Sequence, residues 1–269
     1  MGASIIEEGS TQAFNEVTAV SGYDGVNVYN APGVVTNMGG VAIILVCLWL
    51  ASKVVKDRPF SSYSSSRGGW NMKIFLKCFG VSLLVSAIPI FTIYYFTATR
   101  YGVIQFTPMG FLLFFLLVPF QCIAEEYLFR GLLLQGIGSW IKIPIVAIIV
   151  QTALFALAHP YILLGKIEIF LTGLCFGIMA WMTHGLEASS AIHITNNLTI
   201  FLLMGFGIGK VSSYTDVMSL INTVLMNVAY IAILYYLKKK RTFEVIQKDD
   251  VTLFNNKIIE KQKKKEAIS

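Results

Sequence analysis

Apolar runs of about 20 residues recur along the chain, separated by short polar or charged stretches, and that spacing is the signature of membrane-spanning helices. Windows of this length place spans near Gly33 to Val55, Met72 to Thr97, Thr107 to the Glu125 and Glu126 pair or beyond, Ile143 to His159, Lys166 to His184, Ala188 to Phe206 and Thr215 to Leu237. The predicted fold is therefore all-α, a polytopic transmembrane helical bundle of about seven to eight spans with its chemistry on core helices. Composition excludes the soluble alternative. At 55% hydrophobic and 13% charged residues over 269 positions, a water-soluble globule would lack the polar surface to cover itself.

Charge then orients the bundle. The segment before Pro32 holds Glu7, Glu8, Glu16 and Asp24 without Lys or Arg, whereas the first connecting loop carries Lys53, Lys56, Arg58, Arg67 and Lys73. By the positive-inside rule the N terminus lies outside, and an odd number of spans puts the C terminus in the cytoplasm. The tail agrees, with Lys238 to Arg241 and a second cluster at Lys263 to Lys265. Residues 1–32 then form an extracytoplasmic arm, 33–237 a transmembrane domain and 238–269 a basic cytoplasmic tail. The net charge of +6 reads as a topology signal, with the lipid bilayer and not nucleic acid as its partner. The start lacks a basic region followed by an apolar core, so no secretory signal peptide is expected. Cys47, Cys78, Cys122 and Cys175 all fall in apolar segments and read as small core residues, not a disulfide framework.

Against this background Glu125 and Glu126 stand out. A carboxylate in hydrocarbon costs several kcal/mol unless it is paired, protonated or facing a wet cavity, so the pair marks a functional site. Adjacent helical residues point about 100° apart, which assigns the two different roles. Glu126 lies four residues before Arg130, in the preferred order for a helical ion pair, and Glu125 is left to face something else. His159, one turn after Phe155, and His193, one turn before Asn197, close short motifs in other apolar segments. Counting from a turn near Ser139 to Lys142 puts Glu125 and His159 at similar depth; His193 is level with them only if that turn protrudes further into the cytoplasm. His184, beside Gly185, reads as a helix-terminal residue, and Gly173, Gly177 and Gly185 as close-packing positions.

A Glu and a His around one water, with a second His and an Asn donating to an oxyanion, would hydrolyse an amide without a covalent intermediate. Two His and a Glu are also a zinc ligand set, but the tight His-Glu-x-x-His signature is absent. The preferred reading therefore has no metal and no cofactor.

Glu125-Glu126-Tyr-Leu-Phe-Arg130-Gly131, then Phe155-x-x-x-His159, then His193-x-x-x-Asn197, in this order inside apolar segments, resembles the CPBP intramembrane proteases, the family of CAAX prenyl endopeptidases and bacteriocin-processing or immunity proteins. The resemblance covers residues 111–206. It implies a helical bundle with a cavity opening into the membrane, and hydrolysis of a membrane-associated peptide or protein in a bacterial plasma membrane. By residue, it implies that Glu125 activates water with His193, that His159 and Asn197 form the oxyanion hole, and that Glu126 and Arg130 brace the helix, with Phe155 walling the site. Members of the family commonly have eight spans, against the seven counted here. Three alternatives remain open at this point: a non-proteolytic immunity or scaffold protein, a zinc-dependent protease, and a proton-coupled transporter. The last lacks the paired halves expected of such folds. Substrate identity, prenylation and oligomeric state are not encoded in these motifs.

Overall fold

The computed structural model describes residues 28–98, 102–208, 216–240 and 242–243. Most of the acidic N-terminal arm and nearly all of the basic tail lie outside the described residues. Seven long helices follow one another: α1 (Ala31–Val55), α2 (Met72–Thr97), α3 (Pro108–Ile141), α4 (Pro144–Leu157), α5 (Leu163–Thr183), α6 (Glu187–Gly205) and α7 (Val217–Lys239). No strand occurs among the described residues. The fold is an all-α helical bundle, and the chain is an integral membrane protein.

Polar signals set the helix ends. Asn71 and Asp216 accept from the first free backbone N–H groups of α2 and α7, and Thr107 caps α3 just ahead of Pro108, supplying acceptors that the helix itself cannot. Lys142 and His184 take left-handed backbone conformations at the ends of α3 and α5, and Pro144 starts the next helix.

The bundle is apolar outside and polar within. Val54, Leu76, Phe96, Leu116, Leu154 and Leu225 are exposed on α1, α2, α3, α4 and α7, while Ser82, Gln151, Thr195, Glu126, Arg130 and Glu187 are buried. A lipid solvent explains both halves of that pattern, because hydrocarbon accepts Leu and Phe but not an unsatisfied polar group. Gly173 and Gly177 on α5 let α4 approach. A Cβ at Gly173 would sit 3.0 Å from Phe155 Cδ1, and one at Gly177 would sit 2.9 Å from Ile148 Cγ2, so both glycines are close-packing positions as expected.

Five of the seven predicted spans, α1, α2, α3, α5 and α7, are long and apolar enough to cross a membrane. The other two depart from the expectation for different reasons. α4 stops at Leu157 after 14 residues, about 21 Å against a hydrocarbon core of ~30 Å, because Pro160 cannot continue a helix. α6 has 19 residues but carries Glu187, Ser189, Ser190, His193, Asn196 and Asn197. Its first nine residues are all buried, so neighbouring helices and not its own composition keep lipid away. α3 runs well past the Glu pair to Ile141, 34 residues in all and about 50 Å. That length exceeds a hydrocarbon core of ~30 Å.

Basic loops gather at one end of the bundle. There Arg58 donates to Gln135, Arg67 pairs with Glu187 at 2.7 Å, and Lys238 donates to the Met182 carbonyl. At the other end Gln105 N–H donates to the Gly205 carbonyl and Phe106 packs on Tyr29. By the positive-inside rule the first end is the one expected in the cytoplasm. A cysteine at Gly25 is accordingly expected to react with an impermeant thiol reagent on intact cells, and one at Lys248 is not. Equal labelling would mean an even number of spans.

Candidate active site

Three helices, α3, α4 with the turn after it, and α6, bring Glu125, Phe155, His159, His193 and Asn197 around one cavity. Glu125, on α3, is 8% exposed. Its Oε1 accepts a 2.6 Å hydrogen bond from Gln121 Nε2. Among the described residues its Oε2 has no hydrogen-bond partner, and it lies 3.6 Å from His193 Nε2 on α6 and 4.0 Å from His159 Nε2 in the turn after α4. This oxygen is the point on which both imidazoles converge.

Each ring is held from behind. His159 Nδ1 lies 2.8 Å from the Phe155 carbonyl. A carbonyl only accepts, so Nδ1 carries a proton and Nε2 is the nitrogen turned toward Glu125. His193 Nδ1 lies 3.0 Å from Glu126 Oε1, which also accepts from Arg130 Nη1 at 3.1 Å. The Glu126 and Arg130 pair forms as the sequence predicts, with both side chains fully buried. Arg130 in turn donates to the Gly173 carbonyl and lies over the Phe155 ring, 4.3 Å from its centroid. Phe155 packs against His159 at 4.5 Å between centroids, so it does wall the site.

One inference from helical angles needs correction. Glu125 and Glu126 do point apart, yet both reach the same residue, because the His193 ring spans the gap and meets Glu126 with Nδ1 and Glu125 with Nε2. Glu126 therefore holds His193 as well as bracing the helix. The widened π-helical turns of Tyr127–Leu133 begin directly after the pair, a local unwinding that recurs at functional sites.

Sequence reasoning passed over three further residues. Gln121, one turn before Glu125 on the same face, reaches Glu125 with its amide nitrogen and lies 3.5 Å from Asn197 Nδ2 through its oxygen. Its i, i+4 spacing to Glu125 was the available signal. Glu168 and Asn196 line the same cavity, of about 120 Å³, and Glu168 was detectable as a carboxylate inside a predicted span.

A larger cavity, about 370 Å³, opens at the basic end beside Ser64 to Ser66, Lys142 and His184. Neither Glu125 nor His159, His193 or Asn197 lines it, so volume does not select the site; chemistry does. His184 stands apart from the site. Partial burial, then the nearby Lys238 and Arg67, hold its imidazole below the usual histidine range, and its carbonyl accepts from Ser65 and Ser66.

The helices that carry Glu125, His159, His193 and Asn197 fall in a stretch that matches a known family. Residues 107–199 match the family described as type II CAAX prenyl endopeptidase Rce1-like. Over that stretch the chain is similar to the Rce1-like family. All four candidate residues fall inside the matched stretch. An uncharacterized protein of Bacillus subtilis (strain 168), YyaK, is 28% identical over 222 residues, covering 72% of each chain. That alignment extends beyond the matched stretch, so the likeness is not confined to the motifs. No solved structure gives a significant match.

Proposed function

We propose that the protein is an intramembrane endopeptidase in which Glu125 activates a water for attack on a peptide bond of a membrane-associated substrate. The observation that carries this reading is Glu125 Oε2, buried, unpartnered and faced by two imidazole nitrogens at the wall of a polar cavity. Glu125 takes a proton from water as hydroxide adds to the carbonyl carbon. The tetrahedral oxyanion receives hydrogen bonds, the C–N bond breaks, and Glu125 returns the proton to the departing amine.

Geometry favours exchanging the two imidazoles relative to the sequence expectation. His193 and Asn197 lie one turn apart on α6 and present donors along one face. Glu126 behind His193 compensates the charge that an Nε2–H donor carries, in the manner of a buried carboxylate behind a catalytic histidine. His159, whose Nδ1–H rests on an uncharged carbonyl, offers its Nε2 lone pair to the water. In this proposal His193 and Asn197 stabilise the oxyanion while Glu125 and His159 handle the water. The test is cleavage of a membrane-anchored peptide by the purified protein in liposomes. Binding without Glu125-dependent product would favour the immunity or scaffold alternative.

Zinc is a chemically reasonable occupant of such donors, since both Nδ1 atoms are tied to acceptors and leave Nε2 forward. Asn197, the fourth polar group at the site, is a poor zinc ligand and a good oxyanion donor. We therefore propose a glutamate-type hydrolase with no obligatory metal. Purified protein is expected to contain no stoichiometric zinc and to retain activity after chelation. About one zinc per chain, lost with activity in His159→Ala and His193→Ala, would replace this mechanism with a metal-assisted one.

A further inference from the structure

We propose that Gln121 is a positioning residue of this site, one that holds the base Glu125 and the oxyanion donor Asn197 in register across the contact between α3 and α6. This rests on the endopeptidase reading of Glu125 and adds to it a residue that belongs to none of the three sequence motifs.

Gln121, Glu125, His193 and Asn197 close a ring between the two helices. Gln121 and Glu125 are one turn apart on α3, and His193 and Asn197 are one turn apart on α6, so each pair shares a face of its helix. Across the gap, Glu125 Oε2 lies 3.6 Å from His193 Nε2, and Asn197 Nδ2 donates to Gln121 Oε1 at 3.5 Å. Along α3 the figure is closed by Gln121 Nε2, which donates to Glu125 Oε1 at 2.6 Å. Gln121 is buried, and all four side chains stand in the wall of the same cavity. Each oxygen of the base is thereby linked to α6, one through His193 and the other through Gln121 and Asn197.

The donors in this network point one way. A carboxylate accepts, so the amide nitrogen of Gln121 faces Glu125 and its oxygen is turned to groups that donate. Two such groups meet it, Asn197 Nδ2 and the Cys122 thiol, whose Sγ lies 3.4 Å away. Asn197 Oδ1 in turn accepts from Asn196 Nδ2 at 3.5 Å. The amides of Asn196, Asn197 and Gln121 thus donate in series toward Glu125 Oε1, an order in which each hydrogen bond polarises the next. With Oε1 tied to Gln121, the carboxylate is held with Oε2 toward the two imidazoles. The contact to Asn197 is long, so it orients that amide in the resting site without committing it, and Nδ2 carries a second N–H for an oxyanion. Water activation and oxyanion stabilisation sit on different helices, and a misplacement of about 1 Å between such groups costs about 10²-fold. Gln121 is the side chain that touches one group of each kind.

Kinetics in liposomes with a membrane-anchored peptide test this, using two variants of different chemistry. Gln121→Met keeps the length of the side chain and removes both its donor and its acceptor. It is expected to lower kcat by about 10- to 100-fold, the range for a hydrogen bond to a charged group, with KM and the thermal unfolding midpoint close to the parent's. Gln121→Glu keeps an acceptor for Asn197 but sets a second carboxylate against Glu125 Oε1, where like charges repel; at neutral pH its kcat is expected to fall at least as far. Gln121→Met combined with Asn197→Ala is expected to lose less than the product of the two single losses, because one contact is removed twice. Parental kcat in Gln121→Glu, a raised KM with kcat preserved in Gln121→Met, or losses that multiply in full would overturn the inference and leave the endopeptidase reading intact. Should Gln121→Met fail to fold, Gln121→Glu carries the kinetic test. If the parent cleaves nothing above the Glu125→Gln level, the endopeptidase reading fails instead, and infrared spectroscopy still decides the hydrogen bond. The stretching band of the Glu125 carboxyl group, isolated by subtracting the Glu125→Gln spectrum, is expected to move when Gln121→Met is introduced into both proteins. An unmoved band would show that Gln121 does not hold this carboxylate.

Discussion

Glu125→Gln is expected to lower cleavage by about 10³-fold with the protein still folded, and Glu126→Gln is expected to fail by a different route. The amide at position 125 keeps the shape of the carboxylate and still accepts from Gln121, whose 2.6 Å bond goes to Oε1. What is lost is the basic Oε2 that faces both imidazoles. Stability should barely move, because the lost charge has no ion-pair partner closer than His193 at 3.6 Å. Glu126 is different: it is fully buried against an equally buried Arg130. Neutralising it leaves an uncompensated guanidinium, a loss on the order of 3 kcal/mol. An amide there also withdraws the negative charge that faces His193 Nδ1, so a folded remainder would hold the Nε2–H donor form of the ring less well. Thermal unfolding in detergent, read beside turnover in liposomes, separates the two variants. Near-normal turnover in Glu125→Gln would remove the base from the mechanism, and equal thermal losses in both would remove the distinction between them.

What could be read from the chain, and what could not, follows the range of each signal. The i, i+4 relation of Glu126 to Arg130, the packing role of Gly173 and the separation of His184 from the site are local, and each is present in the structure. The long helices were legible for the same reason, since lipid-facing composition is a property of each segment alone. Two spans fell short where tertiary structure overrides composition. α6 is shielded by its neighbours and so need not be apolar, and α4 is stopped by Pro160 before it has crossed the core. The bridging of both carboxylates by His193 was hidden because a rule about directions from one helix does not describe a ring arriving from another. Gln121 and Glu168 were passed over because they belong to none of the three motifs, although the ordinary rule that an intramembrane carboxylate marks a site applied to Glu168 as well.

Asn197→Ala should lower turnover by about 10²-fold or more, the scale of losing one oxyanion-hole donor, with little change in apparent substrate affinity. The side chain is positioned for this and committed to little else. Its Nδ2 has only a 3.5 Å contact to Gln121 Oε1, easily exchanged for an oxyanion that appears only as the carbonyl carbon becomes tetrahedral. An interaction made in the transition state and not before changes kcat and leaves KM. Pairing the variants extends the test to the assignment of the imidazoles. If His193 and Asn197 hold one oxyanion from one face of α6, removing both should cost clearly less than the sum of the single losses in free energy. Residues acting on one group in concert are not additive. Removing Asn197 together with His159, which serves the water from the end of α4, should come closer to that sum. The opposite pattern, with coupling between His159 and Asn197 and additivity with His193, would restore the pairing that the sequence motifs imply. A rise in KM with kcat preserved in Asn197→Ala would make the amide a ground-state substrate contact and leave the oxyanion without its second donor.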